Sequence, residues 1–184
     1  MYHDNKEVTN MTQENNAQST REQLSFSDRL FPARKNEKEC SHMFYIASGW
    51  FTKEQATDLE YIKGVLDRFG IKYFSPKDEF NCPPNASEQQ RRMCFSMNIN
   101  AIDSTEHVIV NTRDKDMGTL FEAGYAYAKR KDIIYVAFDL QGSFNLMLAQ
   151  SGSVVCTTRD EFVSVIHNRF DGIITRTQYA GEIE

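Results

Sequence analysis

The chain reads as an α/β protein, a doubly wound sheet of the flavodoxin-like or Rossmann-like kind, with about five mainly parallel strands and helices on both faces. Three observations predict this. Short, nearly continuous apolar runs such as "VIV" (108–110) and "IIYV" (133–136) alternate with longer stretches of helical period. The runs lack the apolar–polar alternation of a half-exposed sheet, which points to strands buried on both faces. Strand and helix also succeed one another in strict turn, as a parallel sheet with crossover helices requires.

The elements follow in order. "MFYIASGWF" (43–51) predicts a buried strand running into a turn. "TKEQATDLEYIKGVLDRFG" (52–70) places Leu59, Ile62, Val65, Leu66 and Phe69 at helical spacing, with Gly70 as the stop. "IKYFSP" (71–76) is a second short strand ended by Pro76, and "KDEFNCPPNASEQQ" (77–90) has the composition of a surface loop. "RRMCFSMNINAIDST" (91–105) is helical in period, and "EHVIVNT" (106–112) is a third strand. "TLFEAGYAYAKRK" (119–131) is a helix and "DIIYVAF" (132–138) a fourth strand. "FNLMLAQ" (144–150) predicts a short helix, "SVVCTT" (153–158) a fifth strand, and "RDEFVSVIHNRF" (159–170) the closing helix.

Two domains of texture divide the 184 residues. Residues 1–41 are rich in Asn, Gln, Glu, Ser and Thr and too poor in large apolar side chains to offset ordering entropy, so a disordered extension is expected there. Within it "LSFSDRLF" (24–31) is a candidate docking turn. Residues 42–184 form the catalytic or binding domain.

A formal charge of −5 speaks against a nucleic-acid groove, and "KRK" (129–131) reads as a complement to a helix C-terminus. Cys40, Cys82, Cys94 and Cys156 are scattered without a C-x-x-C pair or histidines at zinc spacing, so reduced thiols, no metal and a cytoplasmic setting are expected. No run approaches the ~20 apolar residues of a membrane span.

Sites in such folds lie at the carboxyl ends of the strands. That rim gathers "ASGWF", the loop after "YFSP", and "TRDKDMGT", with Glu122 in the early turns of the helix leaving it. No G-x-G-x-x-G, Walker A or G-x-S-x-G motif occurs, so no nucleotide cofactor is expected. His107, inside a strand, reads as a packed residue. The remaining chemistry is carboxylates: Glu122 and Asp116, with Tyr45 on the first strand as a phenol donor. Such a set suits reactions through an oxocarbenium-like state. From pattern alone a second reading of Glu122 stands equally: an acid favoured at a helix N-terminus.

"FYIASGWFTKEQ" (44–55), "DMGTLFEAGYAYA" (116–128) and "FNLMLAQSGSVV" (144–155) resemble, in that order, blocks of the nucleoside 2-deoxyribosyltransferase family. The resemblance implies transfer of a 2-deoxyribosyl group between purine or pyrimidine bases with retention. Glu122 matches the nucleophile, Tyr45 the tyrosine that positions it, and Asp116 an acid contacting the sugar. Asn145 and Met147 match residues reaching the site from a neighbouring subunit, which implies a homo-oligomer built from dimers, commonly a hexamer. Gly118 lies in the same motif as Asp116 and belongs with the substrate-binding positions. Trp50, Phe51 and Phe80 are candidate stacking walls for a base. The implied partners are deoxynucleosides and free nucleobases.

One position departs from the pattern. Where well-known members carry an Asp that exchanges a proton with the leaving base, this chain has Asn98. An amide hydrogen-bonds a base edge but is no general acid. Asp78 is an alternative proton source. Two rival functions follow: a hydrolase of deoxynucleoside 5′-monophosphates, which needs phosphate donors such as Ser48, Arg91 or Arg92, and a nucleoside-binding module without turnover.

Overall fold

The computed structural model describes residues 44–80 and 82–184. The expectations for residues 1–41, including "LSFSDRLF", lie outside them. Five strands, β1 (Phe44–Ala47), β2 (Tyr73–Phe74), β3 (His107–Asn111), β4 (Asp132–Val136) and β5 (Val154–Cys156), form one sheet in the order β2-β1-β3-β4-β5. All pairings are parallel. The order reverses between β1 and β3, which opens a crevice at their carboxyl ends. Tyr45 stands opposite Val108 and Ala47 opposite Val110 across that seam.

Alternation along the strands divides the core into two layers. Phe44, Ile46, Ile109, Ile134 and Val136 pack against α1 (Lys53–Arg68), through Leu59, Ile62, Val65 and Leu66, and against the closing helix, α6 (Arg159–Phe170), through Phe162 and Ile166. On the other face Tyr45, Val108, Val110, Ile133 and Tyr135 meet Ala101 and Ile102 of α3 (Glu88–Ser104) and Ala123 and Ala126 of α4 (Met117–Ala128). The small side chains of α4 let that helix lie close to the sheet. Each fully buried Ile or Leu contributes about 1.5–3 kcal/mol, which is why the apolar pattern dictates the layers.

Three local details differ from the sequence expectation. The stretch 77–90 was expected to be loop, yet Pro76–Glu79 forms a short helix, α2, with Pro76 at its first turn, where the missing N–H costs nothing. Helix α3 begins at Glu88 rather than Arg91, because Ser87 and Gln90 close a capping box. Past α6, the backbone of 177–184 returns over the sheet edge: Thr177 N–H bonds Ser153 C=O at 2.8 Å, and Phe144 N–H bonds Glu182 C=O at 2.8 Å. That segment braces the loop leading into α5 (Leu146–Ser151).

At the opposite rim His107 stacks on Phe44 and bonds Asp132 through Nδ1 at 2.8 Å. Arg169, also buried, reaches the same carboxylate at 2.7 Å. Burial pushes the Asp132 carboxyl up, but the bonds from His107 and Arg169 outweigh it and hold the group well below the usual carboxylate range. His107 is thus a packed residue in a structural ion network.

Candidate active site

Three elements converge on Glu122. It sits on α4, half-buried, and its Oε1 accepts a 2.7 Å bond from the Tyr45 hydroxyl of β1 and a 3.4 Å contact from Asn98 Nδ2 of α3. Among the described residues Oε2 receives no such bond. One oxygen is therefore anchored by two donors while the other has no donor among the described residues. Tyr45 is fully buried, its ring stacked on Phe74 at 5.5 Å. Burial, then the Glu122 charge, raises the phenol far above its ordinary pKa, so it remains a donor.

Burial pushes the Glu122 carboxyl up to about 7 against the opposing bond from Tyr45; the Asp116 charge adds to the rise and the Asn98 bond opposes it. A carboxylate in this state is poorly solvated and responsive to a cationic ligand. Asp116 caps α4, its Oδ2 accepting from Thr119 N–H at 2.8 Å. A Cβ at Gly118 would lie 3.3 Å from that oxygen, so glycine there keeps the carboxylate uncrowded.

The loop that delivers Asp116 is strained. Asp114 and Lys115 both have positive φ, 60° and 51°, unusual for residues other than glycine. The cost is offset by a clamp from α1. Thr52 Oγ1 bonds Asp114 at 2.8 Å, Gln55 Nε2 bonds Arg113 C=O at 3.3 Å, and Arg113 Nε bonds the buried Asp58 at 2.7 Å. Asn111 Nδ2 reaches Ser48 at 3.1 Å, tying the ends of β1 and β3 together. Gly49 lets Gln55 lie against the backbone, since a Cβ there would meet its amide at 2.7 Å. The sequence reading did not single out Gln55, Asp58 or Arg113 for the site. A polar pair, Gln55 and Asp58, on the apolar face of α1 was the available signal.

The other expected positions fall as follows. Trp50 is half-buried against the α1 side of the core, and Phe51 beside it is 72% exposed. Phe80 follows α2 and is partly exposed. Asp78 is ion-paired with Lys63 at 2.9 Å. Partial burial raises its carboxyl, but the bond from Lys63 prevails and holds it below the ordinary value, leaving no proton to give near neutral pH. Asn145 caps α5, accepting from Met147 N–H at 3.0 Å, and Met147 is 74% exposed. These two stand at the start of α5, and among the described residues neither hydrogen-bonds Glu122. Among the described residues no three His, Cys, Asp or Glu side chains gather as a metal site would require, and no helix is long and apolar enough to cross a membrane.

Two solved structures share this fold. A 2-deoxyribosyltransferase from the psychrotolerant bacterium Bacillus psychrosaccharolyticus aligns with a TM-score of 0.61 and 21% identity, over 73% of this chain and 98% of its own. A conserved protein from Enterococcus faecalis V583 aligns at 0.58 and 16% identity, over 70% and 98%. A CMP N-glycosidase from Clostridium botulinum gives 0.46 and 16% identity, over 67% and 97%. A comparison with curated protein sequences finds no match. The family profile for nucleoside 2-deoxyribosyltransferase matches residues 44–157, which takes in Tyr45, Asn98, Asp116 and Glu122. The chain belongs to the nucleoside 2-deoxyribosyltransferase family.

Proposed function

We propose that the protein moves a 2-deoxyribosyl group from one nucleobase to another through a covalent ester on Glu122. The observation that carries this reading is the division of labour on one carboxylate: Tyr45 and Asn98 hold Oε1, and Oε2 is left open. Oε2 attacks C1′ as the bond from C1′ to the base nitrogen breaks. The electron pair leaves with the base, which takes up a proton. A nitrogen of the incoming base then attacks C1′, the ester bond breaks back to the carboxylate, and that base gives up its proton. Two displacements preserve configuration.

A 2-deoxy sugar lacks an electron-withdrawing 2-hydroxyl, so positive charge at C1′ develops readily. The Glu122 carboxylate stabilises it electrostatically before trapping it. Asp116 has one oxygen on the Thr119 amide, and its other is suited to a sugar hydroxyl. Neither Asn98, an amide, nor the ion-paired Asp78 supplies the proton for the leaving base, so water fills that role, and water takes back a proton from the incoming base in the second step. Trp50, Phe51 and Phe80 serve as walls for the exchanging bases. The exposed apolar side chains Met93, Phe95, Met117 and Phe121 on α3 and α4, with Leu146 and Met147 on α5, favour a homo-oligomer. In it Asn145 and Met147 complete a neighbour's site.

The test is a chromatographic assay of purified protein with deoxynucleosides, with and without free adenine or cytosine, and with deoxynucleoside monophosphates. A new deoxynucleoside that forms only with added base is expected. Free base without exchange would replace transfer by hydrolysis, and turnover confined to the monophosphates would identify a nucleotide hydrolase.

A further inference from the structure

We propose that Cys82 and Cys94 form a reversible dithiol–disulfide couple beside Glu122, oxidised by hydrogen peroxide or a small-molecule disulfide, and that closing the bond slows turnover. The effect on turnover rests on the transfer reading above; the bond itself does not.

The two thiols come from different segments. Cys82 lies between α2 and α3, and Cys94 lies on α3. Both are free and partly exposed, whereas Cys156 is buried. The side chains of Cys82 and Cys94 are in hydrogen-bond contact with each other. The chain is stiff where it leaves Cys82. Pro83 and Pro84 follow, Ala86 N–H bonds Pro83 C=O at 2.9 Å, and Arg91 Nη2 reaches Pro84 C=O at 3.5 Å. Proline fixes φ, so Cys82 is presented to α3 with little freedom. Two thiols held in this way close as an effectively unimolecular step.

Cys94 also neighbours the Tyr45–Glu122 pair, and each of those two groups acts electrostatically on it or is acted on by it. It stands four residues before Asn98, on the same face of α3, and Asn98 Nδ2 contacts Glu122 Oε1 at 3.4 Å. Burial, then Cys82, then the Glu122 charge hold the Cys94 thiol above its ordinary pKa. Cys94 therefore keeps its proton and donates it to the Cys82 sulfur, and Cys82 is the sulfur that meets the oxidant.

With hydrogen peroxide, the Cys82 thiolate attacks one oxygen and the O–O bond breaks. Cys82 becomes a sulfenic acid, and the departing hydroxide takes up the Cys82 proton as water. The Cys94 sulfur then attacks the Cys82 sulfur. The S–O bond breaks, and its hydroxyl leaves with the Cys94 proton as a second water. The two sulfurs lose two electrons and the peroxide gains them. With a small-molecule disulfide, two exchange steps give the same bond and release two thiols. Sulfurs in hydrogen-bond contact stand farther apart than the ~2.0 Å of a disulfide, so closure draws α3 and Cys82 together by roughly an ångström. Because α3 carries Asn98 to Glu122, a misplacement of that size costs up to ~100-fold in rate.

The experiment uses the full chain carrying Cys40→Ser, which leaves Cys82, Cys94 and the buried Cys156. Glutathione redox buffers and hydrogen peroxide are the oxidants. Remaining thiols are alkylated and the protein is digested with trypsin, which cuts after Arg91 and Arg92 and so separates Cys82 from Cys94 unless they are joined. A linked peptide pair, lighter by two hydrogens and separated by dithiothreitol, is expected. Base exchange, assayed in parallel, falls roughly ten- to hundred-fold as the link forms and returns on reduction. Cys82→Ser keeps the parent's activity and loses the sensitivity to oxidant; Cys94→Ala replaces it should it fail to melt cooperatively.

Absence of the linked pair at every glutathione ratio and peroxide level that leaves Cys156 unmodified overturns the proposal. So does a linked protein that exchanges bases as fast as the reduced one, or a sensitivity that persists in Cys82→Ser. Should the reduced protein turn over no nucleoside, the transfer reading fails. The couple then stands if the linked peptide forms and falls if it does not.

Discussion

Replacing Tyr45 by Phe removes one hydroxyl from a fully buried ring and leaves its stack on Phe74, at 5.5 Å and 9° between planes, in place. The lost interaction is the 2.7 Å bond to Glu122 Oε1. That bond lowers the Glu122 pKa, opposing the burial that raises it to about 7. A hydrogen bond to a charged group is worth about 1.5–3 kcal/mol, and one pKa unit corresponds to about 1.4 kcal/mol. The carboxyl should therefore rise by about one to two units. In the proposed transfer only the carboxylate form attacks C1′, so the acid limb of kcat/KM moves up by the same amount. At pH 7 the ionised fraction falls from about half to between a tenth and a hundredth, a rate loss of roughly five- to fifty-fold that alkaline buffer restores. The assay is a pH profile of base release under subsaturating substrate, parent and variant side by side, with melting curves as a folding control. An acid limb that stays in place or moves down, or a loss that persists undiminished at pH 9, would refute the reasoning.

Other perturbations test the same architecture. Glu122→Gln abolishes exchange yet raises stability above pH 7: the folded pKa of about 7 exceeds the ordinary 4.5, so folding favours the protonated acid and stability declines as pH climbs between those values. The difference approaches about 3 kcal/mol, to be read by denaturant titration at pH 5 and pH 8; a variant no more stable than the parent at pH 8 contradicts it. Gly49→Ala sets a Cβ 2.7 Å from the Gln55 amide, disturbing the clamp on the Asp116 loop. It costs about 1–3 kcal/mol and lowers kcat, whereas an unchanged melting temperature would show that Gln55 moves aside freely. Arg169→Ala leaves Asp132 buried with one partner fewer and destabilises by about 3–5 kcal/mol. Because the Asp132 carboxyl is depressed in the fold, the network's contribution is present above the ordinary carboxylate pKa and fades as pH falls into the acid range. Acid denaturation midpoints of the two proteins report it.

The order of strands and helices was legible because it depends on local properties. A buried parallel strand must be apolar on both faces, so "IIYV" announces β4, and a crossover helix must show the period that places Leu59, Ile62, Val65 and Leu66 on one side. The rim location of Glu122 followed from the same topology. Asp116, Glu122 and Tyr45 were readable as a carboxylate–phenol set, and the resemblance assigned them roles. The start of α3 was misplaced because the Ser87–Gln90 capping box sits inside a stretch dominated by turn formers.

What the sequence by itself determined is the composition of each layer and the identity of the residues on the rim. Only the tertiary structure decided how those residues act on one another. That both Tyr45 and Asn98 choose the same oxygen of Glu122, leaving the other without a donor among the described residues, is a matter of distances between three elements far apart in sequence. Asp78 was eligible as an acid until Lys63, fifteen residues before it, proved to hold its carboxylate. The strained loop before Asp116 is held by Thr52, Gln55 and Asp58 of another segment, which bond to it. Burial and charge at a point depend on what the folded chain brings there, and local pattern carries no record of that.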